Sequence, residues 1–300
     1  MLFKRNDKAS GKVLKTSKPL LLTPQQAYVR PQEGGKDWWA TTMNVWRVDE
    51  IIKRRVRDWR RLTGETGHDG ERAQVFRKDH NSSYTGTMSV FPAPLMEMII
   101  LRYAGPQGSH ILDAFAGGPP RGLVSCIMGH RYTGFEIRQA QIDENLGVLE
   151  RLGLIGANYV NGDGCLLDID DTFDCGITCP PYYDLEVYSD QQDDISNHRS
   201  YAAFNASMWC CANAYFERLK EGSFACIVVG LFRDKSTGEL IDFPAHTVEN
   251  FREAGFLFWQ NIVLSKNFAS AAIRAGNAWR GRKLITSFEN LLIFRKPGWK

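Results

Sequence analysis

The stretch that most constrains this chain is residues 173–183, in which a short apolar run of strand length ends at Pro180 and Pro181 and is followed by Tyr182 and Tyr183. Proline carries no amide hydrogen, so a strand cannot extend its ladder through this pair, and the backbone must leave the sheet with carbonyls unpaired. In an open α/β sheet ligands bind at the carboxyl ends of the strands. The two tyrosine rings are then platforms for a planar group.

A second strand of the same buried kind is expected at residues 110–113. It runs into the turn Gly117-Gly118-Pro119-Pro120 and then a helix over 123–128. Glycines let a backbone approach a ligand, and the helix start presents free amide hydrogens. A dinucleotide site wants G-x-G-x-x-G at this point, and the chain lacks it. Upstream, the Phe91-Pro92-Ala93-Pro94 segment opens a helix over 95–103, with proline in the first turn, where its missing amide costs nothing.

Next comes a strand over 132–137 containing the acid Glu136, then a helix over 138–152 stopped by Gly153. A carboxylate at a strand end accepts both hydroxyls of a ribose, although an acid there is also a common solvated or capping group. Residues 157–164 give a further strand and a turn carrying Asp163, in a sequence that is also an ordinary turn. A helix over 201–219, a buried strand over 223–230, a helix over 243–254 and two strands over 256–264 and 288–295 complete the catalytic part. Strands alternating with helices and closing on an antiparallel pair predict an α/β, doubly wound sheet.

Cys179-Pro180-Pro181-Tyr182 resembles the catalytic tetrapeptide of the DNA amino methyltransferases, S-adenosylmethionine-dependent enzymes that methylate the exocyclic amine of adenine or cytosine. With the Gly117-Gly118 turn upstream, the longer run 179–189 is similar to phage-type DNA methylases associated with ParB-like domains. The resemblance covers roughly residues 85–296. It implies a Rossmann-like methyltransferase sheet and S-adenosylmethionine as cofactor, held by Phe91, Asp113, Phe115, Gly117, Gly118, Glu136 and Asp163. It implies double-stranded DNA as partner and methylation of a flipped base, adenine N6 first, with cytosine N4 as the alternative. Catalysis falls to Cys179, Pro180, Pro181 and Tyr182, and nucleic-acid contact to Tyr183, Arg274, Arg280, Arg282 and Lys283. No metal is implied.

Two departures from the family bear on the chemistry. The first tetrapeptide position is usually Asp, Asn or Ser, and a neutral Cys179 thiol is a weaker acceptor. A thiolate would accept better, but no cation stands beside it in the local sequence. Attack by Cys179 on a pyrimidine ring carbon, action on RNA, and a relative that binds without catalysis are the other readings. The second departure is that Gly117 and Gly118 are adjacent and two prolines follow, which stiffens the turn.

Net charge is only +3, so charge overall does not announce a nucleic-acid binder; the excess lies near the N-terminus and at 274–283. Residues 1–35 read as a basic mobile arm and 36–84 as a basic helical extension, with an amphipathic helix expected over 38–61. Residues 85–300 form the methyltransferase domain, with a recognition loop near 265–287, too long for a hairpin turn. Seven cysteines without a Cys-x-x-Cys pair argue for reduced thiols in the cytoplasm rather than disulfides or zinc. No stretch is long and apolar enough to span a bilayer.

Overall fold

The computed structural model describes the backbone of Val45–Arg47 and residues 91–185, 194–265, 276 and 278–298. In chain order the elements are β1 (Val45–Arg47), α1 (Ala93–Tyr103), β2 (His110–Asp113), α2 (Pro120–Ile127), β3 (Arg131–Glu136), α3 (Gln139–Arg151), β4 (Ala157–Asn161) and β5 (Phe173–Thr178). They continue with α4 (Tyr201–Arg218), β6 (Leu219–Val229), β7 (Phe232–Arg233), β8 (Leu240–Ile241), α5 (Phe243–Glu253), β9 (Leu257–Ser265) and β10 (Phe288–Arg295).

Eight strands form one sheet in the order β1-β9-β10-β6-β5-β2-β3-β4, and β7 pairs with β8 in a separate hairpin. Strands β4, β3, β2, β5 and β6 run parallel, and β10 lies antiparallel between β6 and β9. This is the doubly wound, Rossmann-like sheet with an antiparallel last strand pair expected from the sequence. Chain order reverses between β2 and β5, which are hydrogen-bonded neighbours with Ile111 opposite Cys175 and Leu112 opposite Gly176. Such a switch point opens a crevice at the carboxyl edge.

Both faces of the middle of the sheet are covered, which is why Ala225–Val229 and Leu291–Phe294 are apolar without alternation. Successive residues nevertheless point to opposite faces. Ile111, Ile177, Val228 and Ile293 pack with Met96, Ile99, Val124 and Ile127 of α1 and α2. Leu112, Ile227, Leu292 and Phe294 pack with Phe204, Tyr215, Phe243 and Phe251 of α4 and α5. The helices begin where their sequences allow. Ser200 caps α4 by accepting from Ala203 N at 3.2 Å, and Asp242 caps α5 by accepting from Ala245 N at 3.1 Å.

Three boundaries differ from the sequence expectation. α2 starts at Pro120, because Pro119 and Pro120 fit the cap and first helical position rather than a loop. β6 starts at Leu219, straight out of α4; its polar opening, Lys220 to Ser223, reads as a turn, but Gly222 N bonds Lys296 O at 3.1 Å. Val45–Arg47, expected to be helical, is a strand pairing in parallel with Val263–Ser265, so sheet-edge hydrogen bonds override the helical spacing there. The rest of the basic arm and of the extension lies outside the described residues. Among the described residues no helix is long and apolar enough to cross a membrane.

Candidate active site

The carboxyl ends of β2 and β5 are tied together by side chains. Asp113 ends β2 with no exposed surface, and each of its oxygens accepts two hydrogen bonds. Oδ1 accepts from Thr178 Oγ1 at 2.7 Å and Phe115 N at 3.1 Å; Oδ2 accepts from Tyr132 OH at 2.7 Å and Arg121 Nε at 2.5 Å. Phe115 N also reaches Thr178 Oγ1 at 3.2 Å. Asp113, expected to contact the cofactor, has both oxygens bonded within the protein, and its position welds the glycine turn to the residue just before Cys179.

Arg121 was not singled out from the sequence, where it directly follows two prolines in the turn before the expected helix. Its guanidinium is buried. Besides Asp113, it donates to the carbonyls of Phe115 and of Ala116, the latter at 3.0 Å. Burial opposes its charge, but Asp113, Tyr132 and the Cys179 sulfur favour it, and the net effect raises its pKa. Arg121 thus stands within electrostatic reach of Cys179 across the switch point. Phe91 lies over the same guanidinium, 5.0 Å from ring centre to Cζ, which brings this expected cofactor residue to the turn.

The turn itself needs one of its two glycines. Gly117 has φ +51°, the left-handed region. Gly118 has no such φ, and a side chain there meets only Pro120 at ordinary contact distance. Gly117 N donates to Glu136 Oε2 at 3.0 Å, so the turn and the acid ending β3 are in direct contact. Glu136 Oε1 accepts from Arg138 N at 3.0 Å. Asp163 follows β4 and is half-buried, with Oδ1 accepting from Cys165 N at 2.8 Å. The next residue, Gly164, lies so close to the Ala114 carbonyl that no side chain fits. The three strand ends thus place Phe115, Gly117, Gly118, Glu136 and Asp163 along one rim.

Across the switch point, Cys179 is half-exposed, whereas Pro180 and Pro181 are buried. Tyr182 is half-buried, edge-on to Phe232 and Phe243 at 6.3 and 6.1 Å between centroids, with its hydroxyl against Gly230 at the end of β6. Tyr183, expected on the nucleic acid, is corrected. It is 8% exposed and packs against Tyr201 and Phe204, at 5.9 and 5.6 Å. Its φ of +45° turns the chain sharply after Tyr182 and sends the ring into the core.

Because β9 runs in the direction of β5, the segment leaving its carboxyl end starts from the same edge of the sheet as the two bends. Arg280, Arg282 and Lys283 in this segment are exposed, as are Trp279 at 86% and Leu284 at 94%. Lys283 reaches Gly238 in the β7–β8 connection. Arg274 lies outside the described residues.

No family model and no curated protein matches the chain. Solved structures similar to it include TrmN from Thermus thermophilus, at 11% identity and TM-score 0.49 over 69% of this chain and 49% of that one. A SAM-dependent methyltransferase from Methanosarcina mazei shows 14% identity and TM-score 0.46 over 66% and 97% of the two chains. A methyltransferase from Pyrococcus furiosus shows 13% and 0.47 over 76% and 96%. The chain spans about half the length of the TrmN structure. Likenesses this distant assign no residue, and the chemistry of the site follows from its own geometry.

That geometry fits an adenosyl group carrying an amino-acid tail. Glu136 accepts two hydrogen bonds, with Arg138 Nε 3.5 Å from Oε1, and has lone pairs left for ribose hydroxyls; Asp163 follows two residues after Asn161, the sheet partner of Glu136; and the left-handed Gly117 leaves the turn without a side chain. The half-exposed Cys179 lies on the other side of the Asp113–Thr178 weld.

Proposed function

We propose that this protein transfers a methyl group from S-adenosylmethionine to the exocyclic amine of a base taken out of duplex DNA, adenine N6 before cytosine N4. The observation that supports it most is the Thr178–Asp113 hydrogen bond at 2.7 Å, which sets the Cys179-Pro180-Pro181-Tyr182 bend beside the glycine turn at the switch point. S-adenosylmethionine, when bound, supplies a methyl group on a positively charged sulfur. Gly117 and Gly118 would pass its amino-acid end, Glu136 its ribose and Asp163 its adenine.

The amine of adenine or cytosine is a poor nucleophile because its lone pair is spread into the ring. Accepting hydrogen bonds from its two N–H groups favours a tetrahedral nitrogen and frees that pair. The Pro180 carbonyl serves as one acceptor, since it lies beyond Thr178, the last paired residue of β5. Cys179 serves as the other, through the lone pairs of its sulfur. With the cofactor held there, the amine would take the methyl group, S-adenosylhomocysteine would leave, and the proton released by the amine would pass to solvent. Tyr182 offers the extruded base an aromatic surface, replacing part of the stacking lost on flipping. Proximity of amine and methyl accounts for much of the rate.

Incubation with tritiated S-adenosylmethionine and duplex DNA, followed by digestion and mass analysis, tests this reading. N6-methyladenine is the expected product. N4-methylcytosine moves the target base, and label in RNA alone moves the substrate. Cofactor binding without label in any nucleic acid leaves a non-catalytic relative.

A further inference from the structure

Two side chains of α3 that touch neither the glycine turn's ligand face nor the tetrapeptide complete a closed circuit of hydrogen bonds around the proposed cofactor rim. From Arg138, one arm runs Nη2 to Gln141 Oε1 at 3.0 Å, Gln141 Nε2 to Asn145 Oδ1 at 3.0 Å, and Asn145 Nδ2 to Gly117 O at 2.7 Å. It continues through the Gly117 peptide plane's neighbour, from Gly117 N to Glu136 Oε2 at 3.0 Å. The other arm is one bond, Arg138 N to Glu136 Oε1 at 3.0 Å. Both arms therefore begin at Arg138 and end on the two oxygens of one carboxylate. Asn145 has no exposed surface and Gln141 is 1% exposed, so neither amide has water to replace a lost partner.

Gly117 is thus gripped from both sides, its carbonyl by Asn145 and its amide by Glu136. Its left-handed conformation is the least self-supporting part of the turn, and Asn145 is what holds the carbonyl in place. We infer that Gln141 and Asn145 are positioning residues that lock the Gly117 turn and the Glu136 carboxylate into one rigid unit, so that the amino-acid end and the ribose of the cofactor are bound together rather than independently. This rests on the cofactor reading above. The residues act through Gly117 and Glu136 and touch no ligand themselves. Helical spacing explains the pattern: positions 141 and 145 are four apart and share one face of α3.

The inference separates two ligands. S-adenosylhomocysteine uses both halves of the rim, whereas adenosine reaches Glu136 but not the turn. In Asn145→Ala, titration calorimetry is expected to show about a tenfold or greater loss of affinity for S-adenosylhomocysteine and less than about threefold for adenosine. In the ligand-free protein, hydrogen exchange across residues 114–118 is expected to speed up while β5 stays protected. Gln141→Leu, which cuts the same arm one link earlier and keeps an apolar side chain on α3, is expected to give a smaller loss with the same selectivity; it carries the test if Asn145→Ala does not fold.

Equal losses for both ligands, or exchange at 114–118 unchanged from the parent, would overturn the inference. If the parent binds S-adenosylhomocysteine and the variants bind it as tightly, the positioning role falls and the cofactor reading stands. A parent that binds neither ligand sinks both.

Discussion

Cys179 occupies the position on which the chemistry turns, and its surroundings separate it from the other thiols of the chain. Cys126, Cys165, Cys175, Cys211 and Cys226 are buried, and only Cys179 and Cys210 have exposed surface. Burial pushes the Cys126 thiol up to about 12; a hydrogen bond with Cys211 and burial raise Cys165, and burial and Cys175 raise Cys226. A folded sample treated with a disulfide reagent at neutral pH is therefore expected to release two equivalents quickly, with S-adenosylhomocysteine slowing one of them. Five or more fast equivalents would contradict the burial pattern. On the proposed reading, Cys179→Ala removes one of the two acceptors for the amine. Turnover is expected to fall on the order of a hundredfold, by analogy with loss of one catalytic proton partner, while cofactor affinity holds. A fully active variant would show that the sulfur is no acceptor.

Among elements, the packing around β2 decides whether the site exists, and it is built at both ends of the strand. At the carboxyl end, Gly164 presses the β4 turn onto the Ala114 backbone, so Gly164→Ala is expected to cost more than about 2 kcal/mol in a denaturant titration, as backbone overlap cannot be relieved by a rotamer change. At the amino end, Asp174 accepts from His110 N at 2.8 Å and from Lys220 Nζ at 2.6 Å. Burial alone would raise its pKa, but these partners outweigh it and the net shift is downward. His110 also has a lowered pKa, first through burial and then through Arg131 and Lys220, against the opposing pull of Asp171 and Asp174. Both folded values lie below their unfolded ones, so both contributions are complete above the unfolded pKa and are lost on acidification. Thermal stability is expected to decline from about pH 6.5 downward, and His110→Gln to flatten the decline between pH 7 and 5. A decline of the same slope in the variant would count against this source.

These elements also mark how far sequence reasoning reached. The strands around the switch point were legible because apolar runs stopped by Gly117 or Pro180 have few other conformations. Arg121, Gln141 and Asn145 were not, because their roles come from partners on other elements. Tyr183 was misplaced for a related reason, since two adjacent rings after Pro-Pro look alike until a positive φ turns one inward.

At the scale of the whole molecule, net charge of +3 is too small to say where a polyanion binds, and topology supplies what composition lacks. The chain inserts β10 between β6 and β9, so the segment after Ser265 leaves the edge where the glycine turn and the Pro180-Pro181 bend open. Exposed Arg280, Arg282 and Lys283 in that segment stand beside Trp279, which offers an aromatic face. If duplex DNA lies along this edge, each cation that meets a phosphate displaces a counterion. Replacing all three by Gln is then expected to reduce the slope of log affinity against log salt by up to about 0.9 per contact, close to 3 in total, and to weaken binding of unrelated duplexes alike. Affinity for S-adenosylhomocysteine is expected to stay at the parent value, because these side chains follow β9 while the cofactor rim belongs to β2, β3 and β4. A slope unchanged in the triple variant would move the DNA to another face, and with it the target base away from Cys179.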